Sequence, residues 1–150
     1  MSQFHDKNFE NILSDWVVFR NNLSLQKNPI EVTIDFYKDV WLQSSQIDPW
    51  KPETWPTPWE LFYNNRFCQF SLLLIIFYTF ILGSLPYDKY VLLIVKKGNL
   101  PMSYCLVIND IKIGYNDNKL SILSQSDFNE INIIHSFDLT QFKFFTSLKE

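Results

Sequence analysis

Apolar residues change their period once along this chain, near residue 88. Before that point they recur at helical spacing. Phe9, Ile12, Leu13, Trp16, Val17 and Phe19 form a stripe that predicts a helix over about Asp6 to Asn21. Asn28-Pro29-Ile30-Glu31 supplies a cap, a proline at the first helical position and an early acid. Ile34, Tyr37, Val40 and Trp41 carry that second helix to about Ser44. A proline and tryptophan loop follows from Asp48 to Pro56. Thr57-Pro58-Trp59-Glu60 repeats the cap, proline and acid pattern and opens a short helix to about Asn64. The run from about Arg66 to Leu82 is apolar on every side, which predicts a buried core helix closed by Gly83.

After Pro86 the pattern is that of strands. Tyr90 to Val95 is a continuous apolar run, as a central strand requires. Ser103 to Ile108 and Ile111 to Tyr115 flank Asn109-Asp110, a tight hairpin signal. Asn116-Asp117-Asn118 turns the chain into a short strand, Lys119 to Leu123. Ser124 to Asp127 caps a single helical turn, and Ile131 to Phe137 is the last strand. Asp138 to Phe145 reads equally as strand or helix. The expected fold is α+β: N-terminal helices and a buried core helix packed on an antiparallel sheet of four to five strands. The whole chain, 1–150, is expected to form one domain, with a helical half at 1–83 and a strand-rich half at 89–145.

Composition narrows the function classes. The chain is 47% hydrophobic and 17% aromatic, enough to bury a core, so disorder is not expected. Its net charge is −3 and Lys96-Lys97 is its one basic doublet, which argues against nucleic acid as a partner. The abundance of Asn, Ile, Phe and Lys is the bias of an AT-rich genome. Two cysteines, Cys68 and Cys105, form no disulfide framework, and the N-terminus has no secretory pattern. A cytoplasmic location is expected. Residues 67–87 carry no charge, and about 20 apolar residues can cross a bilayer. A single membrane span is therefore the alternative to a core helix, although Gly83, Ser84 and Pro86 end the apolar run early.

The residue with the most chemical potential is Cys68. A thiol at a helix N-terminus feels the positive end of the helix dipole, which favours the thiolate. It becomes a nucleophile when a base accompanies it. A lone cysteine at the head of an apolar helix is more often a small buried hydrophobe. Asp35 and Asp39 stand four apart as a carboxylate pair would, but no third ligand joins them, so a solvated face is expected. Glu53 and Asp48 flank the tryptophan loop, and Glu60 is accounted for by capping. There is no glycine-rich phosphate loop, Cys-x-x-Cys or His-x-x-x-His, so no metal, cofactor or small-molecule ligand is indicated. Trp50, Trp55 and Trp59 crowd one segment, with Phe62 and Tyr63 after them. They either pin the loop to its own core or anchor a protein partner.

Pro58-Trp59-Glu60-Leu61, Cys68 at the head of the central helix, and a hairpin ending near Gly114-Tyr115-Asn116-Asp117 resemble the transglutaminase-like, papain-like cysteine proteinases. That resemblance spans about Thr57 to Asp117. It implies a catalytic cysteine at Cys68, a histidine near Met102-Ser103-Tyr104, and an acid near Asn116 or Asp117. No histidine stands at Met102-Ser103-Tyr104; the two in the chain are His5 and His135. The resemblance therefore implies a degenerate fold with no catalytic residues, or, if active, a set of Cys68, His135 and Asp117. The chain also resembles the short accessory proteins of tailed phages, marine ones among them. The expected function is a non-enzymatic structural or protein-interaction module, such as a virion or assembly component. An active cysteine hydrolase or acyltransferase is the alternative.

Overall fold

The structure, a computed structural model, describes residues 8–44 and 47–141. The chain divides into two compact units, Met1–Ser84 and Leu85–Glu150. The division falls where the apolar period changes. The first unit is helical and the second is built on a sheet, so the class is α+β.

The helical unit holds α1 (Phe9–Asn21), α2 (Pro29–Tyr37), α3 (Pro58–Asn64) and α4 (Gln69–Leu82). Asn8 caps α1: its Oδ1 accepts from the Asn11 backbone N–H at 2.9 Å. The expected N-terminal turn at Asp6 lies outside the described residues. Helix α2 stops at Tyr37, well short of the expected Ser44. The cause is a tertiary pairing. Leu42 bridges Phe67, and the Gln43 N–H donates to the Phe67 carbonyl at 2.8 Å, which requires extended backbone there. Asp39 consequently lies beyond the helix end and shares no helical face with Asp35. Asp35 pairs instead with Lys38 at 2.9 Å, on the surface.

Helix α4 is buried along eleven consecutive residues, Phe70 to Phe80. With no polar side it is either a core helix or a span. Its 14 residues decide for the core, because they reach only about 21 Å against a bilayer interior of about 30 Å. No described helix is long and apolar enough to cross a membrane. The reading of 67–87 as one span fails at Gly83, where α4 ends, and at Ser84, whose φ is 58°. Gly83 is required at that point: a Cβ there would lie 2.9 Å from the Thr79 carbonyl oxygen and 3.0 Å from that of Arg20.

Inside the unit, α1 and α2 are tied to α4 through one hydroxyl. Trp16 Nε1 lies 2.9 Å and Tyr37 Oη 2.8 Å from Thr79 Oγ1, and all three side chains are buried.

The second unit is a five-stranded antiparallel sheet in the order β4-β3-β2-β1-β5. Its strands are β1 (Tyr90–Lys96), β2 (Ser103–Ile108), β3 (Ile111–Asn116), β4 (Lys119–Ile122) and β5 (Asn132–Asp138). Helix α5 (Gln125–Asn129) is the single turn expected after Ser124. Both turn signals hold. Asn109 has φ 52° in the β2–β3 turn, and Asp117 and Asn118 have φ 51° and 63° between β3 and β4. The uninterrupted apolar run of β1 is explained by its place between β2 and β5. One face of the sheet carries a core of Leu93, Val95, Cys105 and Leu123, against which Phe128 and Ile131 pack. Gly114 lies under Leu123, whose Cδ1 would be 2.8 Å from any Cβ added there. Of the tail that read as strand or helix, Asp138 ends β5, Leu139–Gln141 forms a 3₁₀ turn, and residues 142–145 lie outside the described residues.

Candidate functional site

Cys68 is the N-cap of α4, one residue before its first turn. Its Sγ accepts from the Ser71 backbone N–H at 3.4 Å, and Ser71 Oγ accepts from the Cys68 N–H at 2.9 Å. This is a capping box in which a thiol takes the place of the usual hydroxyl. Two of the backbone donors that a helix start leaves open are satisfied. Ser71 is fully buried and Cys68 nearly so, at 7% exposure. The sulfur is thus engaged structurally, whatever else it does.

A cavity of about 830 Å³ adjoins this cap within the helical unit. Cys68 and Ser71 contribute to its wall, with Leu61 and Phe67 beside them. Polar and charged groups also line it, among them Gln43, Asp48, Lys51, Asn64 and Arg66. The described residues of the helical unit contain no histidine. His5 lies outside the described residues.

The other members of the implied catalytic set are in the sheet unit. His135 is on the edge strand β5, opposite Ile94, with its ring 4.6 Å from that of Phe137. Asp117 is in the turn between β3 and β4, toward the opposite edge. Strands are spaced about 4.8 Å apart, so roughly 14 Å of sheet separates β5 from β3. That is far beyond the reach of a hydrogen bond between His135 and Asp117. The structure brings Cys68 together with Ser71, and it does not bring His135 together with Asp117. Cys105 is a second buried thiol, on β2, and burial pushes its pKa up to about 12.

The tryptophan loop is anchored at its end nearest α3. Trp55 is buried with its ring edge-on to Phe70 at 5.0 Å. The Tyr78 hydroxyl donates to the Pro56 carbonyl at 2.7 Å. Both contacts fasten the loop to α4. Thr57 and Glu60 form the capping box expected of α3, with Pro58 at its first position. At the other end, Asp48 Oδ1 accepts from the Trp50 N–H at 2.9 Å, and Pro52–Thr54 makes a 3₁₀ turn.

The three tryptophans therefore have different positions. Trp55 is at 8% exposure, whereas Trp50 and Trp59 are each at 47%. Trp59 rests edge-on against Trp16 at 5.6 Å and leaves the rest of its ring to solvent. Tyr63, packed against Phe9 at 5.4 Å, is 72% exposed. Trp41, expected within α2, stands in the extended segment at 71% exposure. Sequence reading missed Trp41 as a surface group, because its signal depended on where α2 stops. It also missed Ser71, although its spacing of three from Cys68 is that of a capping box. Among the described residues no three His, Cys, Asp or Glu side chains are grouped to hold a metal ion.

No family model, curated protein or solved structure matches the chain.

Proposed function

We propose that this chain is a non-enzymatic protein-interaction module, a structural or assembly component of the kind found in tailed phages, that meets a protein partner through its tryptophan loop. The observation that carries the reading is the anchoring of that loop. Trp55 and Pro56 hold it on α4, while Trp50 and Trp59 each leave about half their area outside. A loop already stiffened by proline and anchored in this way loses little entropy on binding. Tryptophan is also the residue type that most often dominates an interface. On this reading Cys68 keeps the position used by the thiol enzymes that the chain resembles, and serves there as a helix cap.

The test is a paired one. Trp50→Ala with Trp59→Ala should leave the far-ultraviolet circular dichroism unchanged. The proteins that co-purify with the wild-type chain from its own host, identified by mass spectrometry, should be lost. Retention of the same set by the folded double variant overturns the assignment to this loop. Alkylation of Cys68 in the native protein should be slower than that of a free thiol. Faster labelling near neutral pH overturns the non-enzymatic part.

The cavity beside Cys68 favours a second reading, a cysteine hydrolase or acyltransferase. It requires a base to reach the sulfur, and it predicts a covalent adduct at Cys68 with acyl-type electrophiles that Cys68→Ala abolishes.

A further inference from the structure

We draw no further inference here: the strongest candidate, the cavity at the head of α4 beside Lys51, Arg66 and Cys68, belongs to the site already described, and nothing besides a lone cysteine and a helix N-terminus there points to a ligand.

Discussion

Thr79 has a single hydroxyl proton and donates it to the Ile75 carbonyl at 2.7 Å. The Trp16 indole and the Tyr37 phenol must therefore both donate to its oxygen. Thr79→Val keeps the shape and removes the acceptor that both buried donors share, while the hydrogen bond between Trp16 and Tyr37 remains. With one buried donor losing its acceptor, the loss should be about 1–3 kcal/mol in urea denaturation. Thr79→Ser keeps the acceptor and should cost less than half as much. Equal costs for the two would mean that the network contributes nothing. Cys105 gives a pH signature. Its folded pKa is raised from the ordinary 9.0 to about 12, so the folded state retains a proton that the unfolded chain releases. The contribution to stability is complete below pH 9 and falls as pH rises toward about 12. Denaturation midpoints measured across that range should decline, and Cys105→Ala should lessen the decline, most visibly between about pH 9 and 10, below the range where the buried Tyr37, Tyr78 and Tyr90 phenols, also raised by burial, contribute. An unchanged slope would locate the titration elsewhere.

At the scale of elements, two glycines mark where one segment approaches another too closely for a side chain. They should respond differently to alanine. At Gly83 the obstacles are two backbone oxygens, of Thr79 and Arg20, which are held by helices and cannot yield. At Gly114 the obstacle is the end of the Leu123 side chain, which can change rotamer. Overpacking costs typically about 1–3 kcal/mol. Gly83→Ala should fall at the upper end of that range and Gly114→Ala at the lower, as measured by chemical denaturation. The reverse order would mean that the end of α4 is looser than its contacts imply. The tryptophan loop shows the same dependence on neighbours. Proline and indole content make it stiff, but the contacts of Trp55 and Pro56 with α4 determine which rings stay outside.

At the scale of the whole molecule, an apolar α4 of 14 residues belongs to a compact unit. In a detergent phase-partition experiment the chain should remain in the aqueous phase. Recovery in the detergent phase would revive the membrane reading of 67–87. The thiol implied by the resemblance lies in the helical unit, and the histidine and acid lie in the sheet unit. Within the sheet unit, strand order alone keeps His135 from Asp117.

Sequence alone determined the α+β class, the existence of nearly every described element, and most turns and caps. These signals are local. Thr57 and Ser124 satisfy backbone donors three residues away, whereas Asn28, expected to cap α2, makes no side-chain cap bond and the cap of α1 is Asn8; Asn109, Asp117 and Asn118 tolerate left-handed backbone without help from the rest of the chain. Cys68 at the head of the buried helix was legible for the same reason. Tertiary structure decided what depends on residues far apart in sequence. It placed β5 beside β1, and it ended α2 at Tyr37 so that Leu42 could pair with Phe67. It joined Trp16 and Tyr37 to Thr79 across 63 and 42 positions. It also buried Trp55 while leaving Trp50, Trp59 and Trp41 exposed. An indole gains by burial wherever a surface is offered to it. Which indoles are buried is therefore a property of the packed neighbours, and residue type does not carry that information.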